Sequence, residues 1–191
     1  MKILVVLAHP RRSSLSGQVA DSFALAAMAN GHTIEWADLV SEGFDPVLRE
    51  PDEPDWNDPQ KVYSPEVRRE MARVERNDAT VMVYPIWWWS MPAVLKGWID
   101  RVWNHGWAYG AQTFPQRRVW MIGVAGSGAA VYESRGYAEA IKTQIDAGIL
   151  DYCGIAERRL ELLYGAIEGE TYPQEILARA RALGDEFKEY S

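Results

Sequence analysis

The sequence predicts an α/β fold in which five strands form one parallel, doubly wound sheet in the order 2-1-3-4-5. Three observations carry that prediction. Short apolar, β-branched runs recur along the 191 residues, and several are too uniformly apolar for strands with one wet face. Between the runs, apolar residues fall at helical spacing. Strand and helix therefore alternate, which makes consecutive strands parallel, because a right-handed crossover returns the chain to the same edge of the sheet. With 48% hydrophobic residues, residues 1–191 are expected to form one domain with a full core.

Ile3 to Leu7 is a continuous apolar run, and Ala8-His9-Pro10 ends it. The loop that follows, HPRRSSLSG, closes with Ser13 and Ser14, either of which can cap the next helix. That helix is marked by Leu15, Val19, Phe23 and Ala26 and stopped by Gly31. Thr33 to Leu39 alternates and carries Glu35 and Asp38, so it reads as a second strand near an edge. From about 41 to 65 the pattern fades into proline and acid. Pro46, Pro51, Pro54, Pro59 and Pro65 forbid a long element there, and the acids Asp52, Glu53, Asp55 and Asp58 are expected to face solvent. Glu66 to Arg76 reads as a charged helix capped by Ser64 with Pro65 at its first position.

Thr80 to Tyr84 is the third strand, ended by Pro85. After three consecutive tryptophans, Val94, Leu95, Trp98, Ile99 and Val102 form one apolar helical face. Val119 to Val124 is the fourth strand, running into Ala125-Gly126-Ser127-Gly128. Tyr137 to Leu150 reads as helix and Arg159 to Leu163 as the fifth strand. Ile176, Leu177, Ala180, Leu183 and Phe187 mark a last helix.

Composition narrows the function classes. A net charge of −7 and the lack of a basic cluster argue against nucleic acid as a partner. No apolar run approaches the roughly 20 residues of a membrane span, and the N-terminus enters a strand at once, so a cytoplasmic protein is expected. One cysteine, Cys153, reads as a small buried apolar residue. His9, His32 and His105 share no metal-ligand spacing, so no metal is expected. GxSxG is absent, which leaves a serine nucleophile without its elbow.

In doubly wound sheets, ligands bind beyond the carboxyl ends of the strands near the switch in strand order. That rule selects three loops. His9 to Ser16 offers hydroxyls and free N–H groups at a helix N-terminus, with Arg11 and Arg12 nearby, and suits a phosphate; a plain helix cap explains the same residues. Pro85 to Met91 carries Trp87, Trp88 and Trp89. Six of the nine tryptophans lie between Tyr84 and Tyr109. Three rings in a row at a strand end cannot all enter one core, because neighbours point to opposite faces. At least one is expected to line a cleft, where a planar heteroaromatic such as isoalloxazine would stack, or a subunit interface. Ala125 to Gly128 lets backbone N–H groups approach the polar edge of such a ring, and Tyr132 adds a hydroxyl.

On these residues the chain resembles the NAD(P)H:quinone oxidoreductase (DT-diaphorase) branch of the flavodoxin-like flavoproteins. The most specific similarity runs from Pro85 to Tyr109, through Met91-Pro92-Ala93, Leu95-Lys96-Gly97-Trp98, Arg101-Val102 and Ala108-Tyr109. The resemblance implies a flavodoxin-like fold and a flavin enzyme that takes two electrons from NAD(P)H and passes them to a quinone or similar acceptor. It implies that His9, Ser14, Leu15 and Ser16 hold phosphate, that Pro85, Ile86, Trp87, Trp88 and Trp89 wall the ring, and that Val124, Ala125, Gly126, Ser127 and Tyr132 meet its polar edge. Tyr132 is the implied catalytic residue, and Trp107 and Tyr109 are the implied substrate residues. A homodimer with its site at the subunit boundary is implied too. Asp100 stands where FAD-binding members have a glutamate near the adenosine, which favours FAD over FMN. One departure is visible: Arg135-Gly136-Tyr137-Ala138 contains no histidine to partner Tyr132. Two other readings are an ancillary subunit of a potassium-efflux transporter and a flavodoxin-type electron carrier.

Overall fold

The computed structural model describes residues 1–58, 60–169 and 171–188; Pro59 lies outside them. Five strands, β1 (Lys2–Leu7), β2 (Thr33–Asp38), β3 (Ala79–Pro85), β4 (Arg118–Val124) and β5 (Glu157–Leu163), form one sheet in the order β2-β1-β3-β4-β5. Every pairing is parallel, with Leu4 opposite Glu35 and Thr80, and Met82 opposite Met121. Alternation sorts the strand residues between two cores. Ile3, Val5, Leu7, Val81 and Val83 face helices α1 (Leu15–Ala29) and α6 (Tyr172–Glu186). Leu4, Val6, Met82 and Tyr84 face α2 (Pro65–Glu75) and α3 (Ala93–Val102) on the other side. The central strand β3 is buried along its whole length, as its apolar sequence requires.

Two elements depart from expectation. A short helix α4 (Ala129–Ser134) follows the fourth-strand loop, where none is expected, and Gly136 at φ 69° separates it from α5 (Tyr137–Lys142). Each has six residues, too few to show a period. The helix from Tyr137 then continues as a π-helix over Thr143–Asp151, which apolar spacing alone does not distinguish from α. Cys153 is buried, and burial pushes its thiol up to about 11, so it is an inert packing residue.

The described residues of the proline-rich segment form a largely exposed strap pinned by the buried Phe44, Asp52 and Tyr63, and Glu53, Asp55 and Asp58 face solvent as expected. The strap includes a 3-10 turn (Glu50–Asp52) and lies so close to α3 that a Cβ on Gly97 would run into the Pro46 carbonyl. This placement overturns the expectation that Asp52 faces solvent, since it is only 3% exposed. Arg101 of α3 donates to Asp52 at 2.8 Å, and to Glu66 and the Asp45 carbonyl. Ser64 donates to the same carboxylate through its N–H and its hydroxyl, at 2.8 and 2.9 Å. A charge is tolerable at this depth only because it is paired and hydrogen-bonded.

Burial alone would raise the Asp52 pKa, but the Arg101 and Ser64 hydrogen bonds outweigh it and hold the carboxyl below its usual range. A depressed carboxylate stabilises the fold above its unfolded pKa of about 4. That contribution is lost as the pH falls through the folded value. Asp52→Asn should cost about 3 kcal/mol at neutral pH, measured by urea unfolding. The gap between variant and parent should narrow as the pH drops below about 4.

Candidate functional site

All five strands point the same way, so the loops after β1, β3, β4 and β5 meet at one edge. Ala8 donates to the Val83 carbonyl at 3.1 Å and Ile86 to the Val124 carbonyl at 2.8 Å, which draws the first three loops together. Two adjoining hollows lie between them. One, of about 250 Å³, is bordered by His9, Arg11, Ser14, Leu15, Ser16, Pro85 and Val124. The other, of about 360 Å³, is bordered by Trp88, Trp89, Ser127 and Tyr132. Ile86, Trp87 and Gly126 border both. Larger hollows beside β5 and between α1 and α6 lie away from these loops.

At the first loop, Ser14 is the helix cap: its hydroxyl accepts from the Gly17 N–H at 3.2 Å. The next two N–H groups, of Leu15 and Ser16, have no partner among the described residues. They open the first turn of a 15-residue helix, where backbone donors and the helix dipole favour an anion. Arg12 does not add to this charge. It is engaged by Asp21 and lies over the Trp36 ring, 4.9 Å away. His9 does belong here. Its Nδ1 accepts from the Arg11 N–H at 3.0 Å, which leaves Nε2 as the donor, and burial lowers its pKa.

The tryptophan loop differs from the strand end expected. Trp87 and Ser90 exchange backbone hydrogen bonds of 3.0 and 3.1 Å, and Trp88 and Trp89 between them sit at φ 51° and 60°. This is a two-residue turn of the type that calls for left-handed residues and is ordinarily filled by Asn-Gly. In tryptophan each such residue costs about 1–2 kcal/mol. Trp87, Trp88 and Trp89 are 45%, 93% and 39% exposed, and all three border the second hollow. The expected cleft is therefore present, but for a different geometric reason. The turn also leaves the Trp88 and Trp89 N–H groups without partners among the described residues.

At the third loop the carbonyls of Ala125, Gly126 and Ser127 accept from Ala166, Ile167 and Gly165. The N–H groups of Gly126 and Ser127, residues that border the cleft, have no partner among the described residues. Gly128 is not free: the Glu168 carboxylate accepts its N–H at 2.6 Å. Tyr132 is buried against Trp89, Tyr137 and Tyr164, and burial raises its pKa. The loop after β5, which brings Ala166 and Ile167 to the cleft, escapes the sequence reading, although the carboxyl-end rule applies equally to Tyr164-Gly165.

Trp107 and Tyr109 are not brought to this cleft. Their segment leads into the start of β4, at the opposite edge of the sheet. Trp107 donates to Glu75 at the end of α2, and Tyr109 packs on Trp56, His105 and Tyr152. Asp100 joins that end, ion-paired with Lys96 at 2.5 Å and bordering the same hollow as Tyr109.

A family model for the flavodoxin-like fold (Flavodoxin_2) matches residues 1–186. The chain belongs to that family. Over 191 aligned residues it is 35% identical to the uncharacterized NAD(P)H oxidoreductase YcaK of Escherichia coli, covering 96% of this chain and 97% of the relative. It is 26% identical to NAD(P)H dehydrogenase [quinone] 1 of Cavia porcellus, covering 93% of this chain and 74% of that one. Among solved structures, the NAD(P)H:quinone oxidoreductase from Methanothermobacter marburgensis superposes with a TM-score of 0.94 at 29% identity, over 100% of this chain and 98% of the other. Flavodoxin-like relatives along the whole chain are thus NAD(P)H oxidoreductases and quinone reductases. No helix among the described residues is long and apolar enough to cross a membrane.

Trp88 makes no ring contact among the described residues and holds a left-handed conformation, so Trp88→Asn should stabilise the protein by about 1 kcal/mol. A rise in the urea midpoint with an unchanged slope would register it.

Proposed function

We propose that this chain is a flavin-dependent NAD(P)H:quinone oxidoreductase, working in the cytoplasm as a homodimer. The observation that carries the reading is that six residues bordering the two adjoining aromatic-walled hollows, Leu15, Ser16, Trp88, Trp89, Gly126 and Ser127, have backbone N–H groups unpaired among the described residues. Such a donor set fits a long planar ligand with an anionic tail. Leu15 and Ser16, with the Nε2 of His9, would hold a flavin phosphate. Pro85, Ile86 and the three tryptophans would wall the ring, and Val124, Ala125, Gly126, Ser127 and Tyr132 would border its polar edge. When bound, the flavin supplies two-electron transfer between NAD(P)H and the acceptor.

The residues of the chain then have separable tasks. The Gly126 and Ser127 N–H groups favour negative charge at the edge they face. The tryptophan rings exclude water from the cleft. Tyr132, its pKa raised by burial, keeps its proton at neutral pH and can donate a hydrogen bond, which is its proposed catalytic part. No histidine assists it: Ala138 follows Tyr137, and the rings beside Tyr132 are those of Trp89, Tyr137 and Tyr164.

Quinone as acceptor is supported by the relatives' names; the transporter-subunit and electron-carrier readings gain no such support. Trp107 and Tyr109 enter this proposal only through the dimer, in which the amino edge of one chain would face the cleft of the other. A choice of FAD over FMN depends on the same apposition, because Asp100 lies at that amino edge, while the cleft residues serve the part common to both flavins.

Purified protein should be yellow, release FAD or FMN on denaturation, and oxidise NADH or NADPH with a quinone. A colourless protein that takes up neither flavin would sink the reading. Tyr109→Ala should lower kcat/KM for the quinone by roughly tenfold, about 1.4 kcal/mol, with flavin content unchanged and a dimer seen by light scattering. Equal activity in that variant would remove Tyr109 from the substrate site.

A further inference from the structure

Trp89 owes its position to a residue outside the cleft. Its ring stacks on Tyr137 with centroids 3.8 Å apart and planes 15° from parallel, the closest ring contact among the described residues. Tyr137 is the first residue of α5 and follows Gly136, whose φ of 69° turns the chain between α4 and α5. It does not border the hollow that Trp89 borders, so it supports the wall from behind. The supported residue is one of the two left-handed tryptophans, a conformation that persists only where surrounding contacts impose it. Trp88, the other, is almost wholly exposed and has no such support.

We infer that Tyr137 is the positioning residue of the cleft: by stacking on Trp89 it holds the left-handed turn, and with it the free Trp88 and Trp89 N–H groups, in the geometry that receives the ligand ring. The consequence for the ligand rests on the flavin-reductase reading; the effect on the turn does not. The ring alone performs this task, since the Tyr137 hydroxyl makes no hydrogen bond among the described residues. Phenylalanine should therefore serve as well as tyrosine, and alanine should not.

Hydrogen exchange of the Trp87 and Ser90 amides, the two paired across the turn, tests the first half in flavin-free protein. Tyr137→Ala should speed their exchange roughly tenfold while amides of β3 keep their protection, and Tyr137→Phe should restore the parent rates. Flavin titration tests the second half: Tyr137→Ala should raise Kd for FMN or FAD roughly tenfold, with Tyr137→Phe within about twofold of the parent. Unchanged exchange in Tyr137→Ala, or a Tyr137→Phe variant as impaired as alanine, would overturn the proposal. Unchanged flavin affinity alongside faster exchange would overturn its functional half. A parent protein that takes up no flavin would defeat the reductase reading and leave exchange to decide the positioning role. Should Tyr137→Ala fail to fold, Tyr137→Leu, which keeps volume without a ring, takes its place with the same expectations.

Discussion

Parallel strand pairing is the constraint on which the rest of this structure depends. A parallel pair cannot be closed by a tight hairpin, so each strand must hand the chain to a helix that carries it back. Every strand consequently ends at the same edge. Residues far apart in sequence, Ser16, Trp88, Gly126 and Ile167, meet there because β1, β3, β4 and β5 stop in register. The strand cores need no special chemistry for this. The largely apolar side chains of β1, β3 and β4 are buried on both faces of the sheet, and the unusual residues are displaced to the loops.

The opposite edge shows what the same constraint separates. The segment from Trp103 to Arg117 must return the chain to the start of β4, so Trp107 and Tyr109 border neither hollow of the cleft. Their surroundings are aromatic and partly exposed, with Trp56 delivered by the proline-rich strap. The strap holds that position through Asp52 and Arg101, a buried ion pair in which Ser64 also donates to Asp52 and Glu66 also accepts from Arg101. That anchor joins a segment with little regular structure among its described residues to α3.

The fold was legible because both signals it needs are local. Strands such as Ile3 to Leu7 are apolar throughout, and the caps at Ser14 and Ser64 lie where the helices begin. The three cleft loops were legible through topology, since strand order says where they must meet. What the sequence did not disclose depends on contacts between distant residues. Asp52 reads as a solvated acid until Arg101 is placed beside it, and Arg12 reads as a free cation until Asp21 takes it up. The left-handed turn at Trp88 and Trp89 contradicts local preference outright, and only the Trp87–Ser90 pairing and the Tyr137 ring explain it. Conflict between local preference and global structure of this kind is expected where a site is built.

Glu168 has a consequence for how a ligand can lie in the cleft. Of the helices that begin at this edge, α1 follows the first cleft loop and α4 the third, but the N–H of Gly128 at the start of α4 is already taken by the Glu168 carboxylate. The protein has thus placed its own negative group at one end of the cleft, and it repels any other. The α1 end, with the Leu15 and Ser16 N–H groups unpaired among the described residues, favours an anion instead. The cleft therefore has a polarity, which favours a long molecule whose charged end lies towards α1.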